Sequence, residues 1–116
     1  MTVVVIFESW PKPEGGKKAY LDIAGSLMPL VQDVDGFISV ERFQSVADEN
    51  KMVAISFWRD EDAVKNWRNV LEHRRVQAGS RKTVFDNYRL RIANVTRDYT
   101  MKDRKQAPDD SMDVIG

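Results

Sequence analysis

The hydrophobic period of this chain alternates between two residues and about 3.6, in the order β, α, β, β, α, β. Few architectures accept that order in 116 residues. A chain of this size has room for one domain and a modest core, so burying further surface against a partner would help stabilise it.

Val3 to Glu8 is a short β-branched run, bounded by Trp10-Pro11-Lys12-Pro13, and reads as a strand followed by a loop. After Glu14-Gly15-Gly16, apolar residues recur at Tyr20, Leu21, Ala24, Leu27, Met28 and Val31, which is the stripe of a helix with one buried face. Pro29 falls in its last turn and predicts a kinked or frayed end. Asp35-Gly36 marks a turn into a second strand, Phe37 to Ser45. Ala47-Asp48-Glu49-Asn50 is a polar hairpin connection to a third strand, Met52 to Arg59. Asp60, followed by Glu61 and Asp62, suits the start of a helix whose apolar face carries Ala63, Val64, Trp67 and Leu71. The helical pattern continues from Leu71 to about Lys82, with Gly79 as a weak point, and Asn87 to Tyr99 reads as a long final strand.

Two βαβ halves with a central hairpin predict an α+β fold of ferredoxin-like βαββαβ type: a four-stranded antiparallel sheet with both helices on one face. In the third strand, Val53, Ile55 and Phe57 are the more uniformly apolar set, which assigns them to the helix-covered face. In the second, Ile38 and Val40 oppose Phe37, Ser39, Glu41 and Phe43. Phe37, Phe43, Met52 and Trp58 are then expected on the uncovered face, where large apolar side chains mark an interface. The expected partner is a second copy of the chain. Residues 1–99 form the expected domain, and the polar run 100–116 a tail that is flexible or orders against a partner.

Composition removes several function classes. The 18 basic and 18 acidic residues give a formal net charge of zero, so no domain-wide positive field attracts nucleic acid. With no cysteine and a single histidine, His73, thiolate metal sites, disulfides, cysteine nucleophiles and multi-histidine metal centres within one chain are excluded. Haem needs only one axial histidine and survives this test. No basic run precedes the short apolar stretch at the N-terminus, and that stretch is too short to span a membrane, so a cytoplasmic protein without membrane contact is expected.

One stretch is more specific. Phe57-Trp58-Arg59-Asp60-Glu61-Asp62-Ala63 leads through Trp67-Arg68 to Glu72-His73-Arg74 and Gln77, then to Tyr88-Arg89-Leu90-Arg91. This pattern resembles the antibiotic biosynthesis monooxygenase (ABM) domain family of the dimeric α+β barrel superfamily, over roughly residues 2–99. The resemblance implies a homodimer whose two sheets form a barrel, with a ligand pocket between each sheet and its helices. It also implies one of three activities: metal- and flavin-free oxidation of an aromatic molecule by O₂, haem degradation, or ligand binding without chemistry.

The haem-degrading branch of that family uses an Asn on the first strand, a Trp on the helix after the third, and an axial His. Trp67 matches the tryptophan. Strand one carries Glu8 or Ser9 in place of the Asn, and Gln77 stands where the His is expected, one helical turn beyond His73. In the cofactor-independent branch the substrate itself supplies the electrons. A site that binds a flat ring, favours its anion and excludes water is required.

His73, Trp67 and Arg91 are the candidate catalytic residues, and Trp58, Phe43 and Tyr88 the candidate substrate-binding residues, with no metal and no resident cofactor, haem being the alternative. The small molecule expected is aromatic or quinone-like. Each candidate also has a structural reading. His73 suits a surface position, Trp67 core packing, and Trp58 an interface. Arg89 and Arg91 alternate with apolar residues and suit solvated or ion-paired charges, with Glu8 or Glu41 as partner.

Overall fold

A computed structural model describes residues 1–78 and 84–111, with side chains 76–78 excluded. The element order is β1 (Val3–Pro11), α1 (Gly16–Gln32), β2 (Phe37–Gln44), β3 (Met52–Trp58), α2 (Glu61–Ala78) and β4 (Phe85–Asn94). The side chain of Gln77, and Gly79 and Lys82, lie outside the described residues. The strands form one antiparallel sheet in the order β2-β3-β1-β4, which is the expected ferredoxin-like arrangement.

Local chemistry sets the element ends. β1 runs on past Glu8 because Trp10 and Pro11 still find partners, Asn87 and Phe85 of β4, across a register shift. A proline is tolerated there because the irregular end of a ladder does not need its missing N–H. α1 starts after Gly15, whose φ of +77° favours glycine. It continues through Pro29 to Gln32 and then closes with tighter bonds, Asp33 N–H to Leu30 O and Val34 N–H to Val31 O. Pro29 is exposed, so the backbone group it leaves unpaired faces water. Gly36 has φ +93°, and an added Cβ there would meet the Ala63 Cβ at 2.8 Å. The turn into β2 therefore requires glycine. Asp60 caps α2, with its Oδ1 accepting the Ala63 N–H at 2.9 Å.

β4 begins before Asn87 and stops at Asn94, short of the expected Tyr99. Asn94 pairs with Val3, the first residue of β1. Beyond it the neighbouring strand has ended, and only the Val95 N–H to Thr2 O bond follows. Residues 95–111 form no helix or strand. They are tied by local bonds, among them Thr100 N–H to Asp103 O and the Arg104 guanidinium stacked 4.9 Å from the Tyr99 ring.

The two faces of the sheet are the reverse of the sequence expectation. The register Val3↔Trp58, Val5↔Ser56, Phe7↔Ala54 and Ser9↔Met52 puts these eight side chains on one face. That face is the covered one: Val3 and Trp58 pack with Val31 of α1 and Ala63 of α2, and Met52 with Tyr20 and Ala24 of α1. Val53, Ile55 and Phe57 therefore point to the open face, and Met52 and Trp58 are core. Hydrophobicity alone assigns the more apolar set to the covered face. Here the covered face of β3 carries Ala54 and Ser56, whose small size keeps space open beneath the helices.

β2 departs from simple alternation. A register shift lies between Phe37 and Ser39, so Phe37 and Val40 face the helices together while Ile38 is exposed. Of the four residues expected on the open face, only Phe43 lies there; it pairs with Val53 and is 43% exposed.

Candidate functional site

The covered face is not filled. Between the sheet and both helices lies a cavity of about 380 Å³, within the range of small-molecule sites. Its sheet side includes Val5 and Phe7 of β1, Phe37, Val40 and Arg42 of β2, Ala54, Ser56 and Trp58 of β3, and Phe85, Leu90 and Ile92 of β4. α1 contributes Leu27 and Met28, and α2 contributes Val64, Trp67, Arg68 and Leu71.

Aromatic rings stand at both ends of this space. At one end Phe37 meets Trp58 edge to face at 5.2 Å, with Trp67 packed beside them. At the other, Phe7, Tyr20 and Phe85 form an edge-to-face triangle with centroids 5.1–6.1 Å apart. Such walls suit a flat ring, which gains both dispersion and edge-to-face contact.

The polar groups are few. Ser56 Oγ accepts the Trp58 indole N–H at 2.9 Å, which fixes the indole plane. Arg42 Nε donates to the Tyr20 hydroxyl at 3.3 Å, and its guanidinium carbon lies 5.7 Å from that ring's centre. Arg68 reaches the cavity from α2. Among the described residues, no Asp, Glu or His lines the space.

The six sequence candidates are divided by the structure. Trp58 and Trp67 share the cavity wall. His73 is exposed on α2 and is not among the lining side chains. Tyr88 lies on the covered side of β4, 5.7 Å from Phe7 and 6.1 Å from Phe85, outside the lining and more than half exposed. Phe43 and Arg91 are on the open face. There Arg91 donates to Glu8 Oε2 at 2.8 Å, and Lys51 to Glu8 Oε1 at 2.9 Å. The hydrogen bond from Lys51 and the nearby arginines hold the Glu8 carboxyl below its usual range. Glu8 and Arg91 thus form the ion pair that was the structural reading of both.

Arg42, Tyr20, Ser56 and Arg68 were missed. Tyr20 was legible only as a helix-stripe residue, and the β2 register shift hides the side to which Arg42 points. Ser9 has a different character: it is fully buried, and its hydroxyl has no hydrogen-bond partner among the described residues. It is not part of the lining.

The family model described as antibiotic biosynthesis monooxygenase matches residues 2–79. The chain belongs to the ABM family. Its relatives include the jasmonate monooxygenase ABM of Pyricularia oryzae, 39% identical over 92 residues, which cover 79% of this chain and 42% of that protein. The chain thus spans less than half the length of that relative. Among solved structures, a variant of SnoaB, a cofactor-independent oxygenase from Streptomyces nogalater, superposes with a TM-score of 0.64 at 13% identity, covering 84% of this chain and 95% of that one. A MhuD variant with two manganese protoporphyrin IX molecules per active site gives 0.67 at 22% identity, covering 84% and 98%. At these identities the two structures establish the shared ABM fold alone.

Among the described residues, no group of three or more His, Cys, Asp or Glu is placed to hold a metal ion, and no helix is long and apolar enough to cross a membrane.

Proposed function

We propose that this ABM domain is a small monooxygenase that oxidises a ring-bearing, aromatic or quinone-type molecule with O₂ inside the sheet–helix cavity, without a resident cofactor. The observation that carries this reading is the cavity itself: about 380 Å³ of space between aromatic ends, kept open by Ala54 and Ser56. A carbanion or phenolate held there would be desolvated, which favours electron transfer to O₂ over protonation by water. For an activated CH₂ group the balance is simple. The carbon loses a proton and passes an electron pair to O₂, a C–O bond forms, and the protonated peroxide loses water to leave C=O, so that CH₂ and O₂ become C=O and H₂O. Trp58, Trp67 and Phe37 would clamp the ring. The 39% identity to a jasmonate monooxygenase supports an oxygenase role and extends the candidate substrates to cyclic ketones.

The haem reading finds less support. A histidine-ligated haem needs an axial imidazole at the cavity, and His73, the chain's one histidine, lies outside the lining. The donor set does not fit such a haem.

The proposal includes a homodimer formed through the open sheet face. Val4, Ile6, Val53, Ile55 and Phe57 are only half-buried there, and Phe43 is exposed, a contiguous apolar surface of the kind that marks an interface.

The test is ¹⁸O₂ incorporation, followed by mass spectrometry, with menadiol, anthrone and jasmonate as substrates. Label in the product of at least one, lost on filling the cavity with Ala54→Phe, is expected. No label above the protein-free rate with any of them would leave a binding domain.

A further inference from the structure

The cavity lining is apolar apart from Ser56, the Tyr20 hydroxyl and two arginines. Among the described residues, Arg42 and Arg68 are its charged lining residues, and no acidic side chain lines it. Among the described residues, neither guanidinium has a carboxylate within ion-pair distance; Asp22, Asp35, Asp60 and Glu72 pair instead with Lys18, Arg59 and Arg75. Glu8 is on the other face of the sheet, held by Lys51 and Arg91.

Arg42 is the more constrained of the two. It is half-buried and stands opposite Ala54 in the β2–β3 ladder. That small neighbour leaves room for the guanidinium to lie toward α1, where its Nε donates to the Tyr20 hydroxyl at 3.3 Å. A guanidinium carries five N–H donors in a planar fork, and this bond uses one of them. Because Tyr20 Oη accepts from Arg42, its own hydrogen is free to turn to a third group. Tyr20 is 7% exposed, so bulk water does not readily meet that need. The structure thus presents a charged fork and a phenolic O–H at one edge of an apolar space. A half-buried guanidinium without a counter-ion is costly, and an anionic ligand removes that cost.

We propose that Arg42 and the Tyr20 hydroxyl form an anion-recognition site, and that the cavity's ligand is an apolar, ring-bearing molecule with one anionic oxygen group. This rests on the cavity being the ligand site, as in the reading above, but not on its catalysing oxidation. Two sources share this chemistry: a carboxylate carried by the ligand, or an ionised enol or phenol of the ring itself. In the first case Arg42 sets specificity. In the second it stabilises the species that reacts with O₂ and would touch the reacting group.

The experiment measures binding by quenching of tryptophan fluorescence, in the absence of turnover, with two matched pairs. Naphthalene-2-carboxylate against its methyl ester tests the carboxylate. 2-Hydroxy-1,4-naphthoquinone, ionised at neutral pH, against its 2-methoxy ether tests the enolate. The wild-type chain is expected to prefer the anion of at least one pair by about tenfold or more, as a charged hydrogen bond requires. The pair that shows it identifies the source. Arg42→Gln should erase the preference and leave the neutral member's affinity unchanged. Arg42→Lys should keep part of it, and Tyr20→Phe should reduce it.

Equal binding of anion and neutral partner in both pairs by the wild type overturns the proposal, as does no binding of any of the four. So does an Arg42→Gln variant that weakens anion and neutral alike, since that is the signature of a merely structural arginine. Retention of the preference in Arg42→Gln with its loss in Arg68→Gln would move the site to α2 and overturn the assignment to Arg42. The wild-type comparison needs no variant, so a misfolded substitution does not blunt the test. Because O₂ plays no part, an oxygenase that fails the ¹⁸O₂ assay can still pass here, and the reverse.

Discussion

The two faces of one sheet use opposite strategies. On the covered face, Val3 and Trp58 are 2% exposed and sealed by Val31 and Ala63, yet a few residues away Ala54 and Ser56 leave a cavity. On the open face, Val53, Ile55 and Phe57 offer a more continuous apolar surface, with the Glu8 carboxylate tying Lys51 and Arg91 across three strands. The covered face thus gives up packing and leaves a cavity. The open face keeps its side chains large, as a surface awaiting a partner does. Apolar content alone does not tell the covered face from the open one. The placement of small residues does.

Trp58→Ala should break the covered face. The indole is buried and seals Val3 and Phe37, and its loss should cost about 3 kcal/mol or more, since large-to-small core changes carry both a transfer and a cavity term. Urea unfolding checks this: a lower midpoint with unchanged slope is the expected result. A change under about 1 kcal/mol would mean that the neighbouring cavity had already relaxed the site.

Neighbouring residues sharpen the contrast further. Ala54 and Ile55 are adjacent in β3 and point to opposite faces. Ala54→Phe should occlude the cavity, with ligand affinity falling by at least about tenfold while the oligomeric state holds. Ile55→Asp should do the reverse, turning a dimer into a monomer and changing cavity affinity little, because it places a charge in an apolar interface. Light scattering after size exclusion, together with fluorescence titration, reads both outcomes. If Ile55→Asp leaves the mass unchanged, the open face is not the interface.

Element order was legible because it rests on periodicity, which the sequence carries directly. The Asp60 cap and the Asp35-Gly36 turn were legible for the same local reason, and both occur. The face assignment was not, because it weighed Val53, Ile55 and Phe57 by hydrophobicity, whereas Ala54 and Ser56 mark the face that keeps a cavity. β2 defeated alternation through one register shift between Phe37 and Ser39, which brings Phe37 and Val40 to the same face. The end of β4 depends on where β1 begins, a long-range fact no local pattern holds. In the site, Trp58 and Trp67 were visible as large aromatics in the ABM-like stretch. Arg42 was invisible because its meaning depends on Tyr20, twenty-two residues away.

The smallest effect tests whether the open face is held partly by charge. The Glu8 carboxyl sits below its ordinary value of 4.5, chiefly through the hydrogen bond from Lys51 and aided by Arg91 and Arg89. A group whose folded pKa is depressed favours folding in its ionised form. Its contribution is therefore fully present above the unfolded value and is lost as pH falls through the folded one. Asp60 and Glu72 are depressed as well, by the Ala63 N–H and by Arg75 respectively, so the acid limb of the wild type alone would mix three groups. Comparing the wild type with Glu8→Gln cancels the other two, since both proteins keep them. The difference in urea midpoint should be constant from neutrality down to about pH 5 and close toward zero below it. A difference that persists unchanged at pH 3 would assign Glu8 a role in shape rather than charge. The open face would then be an apolar surface that merely tolerates an ion pair.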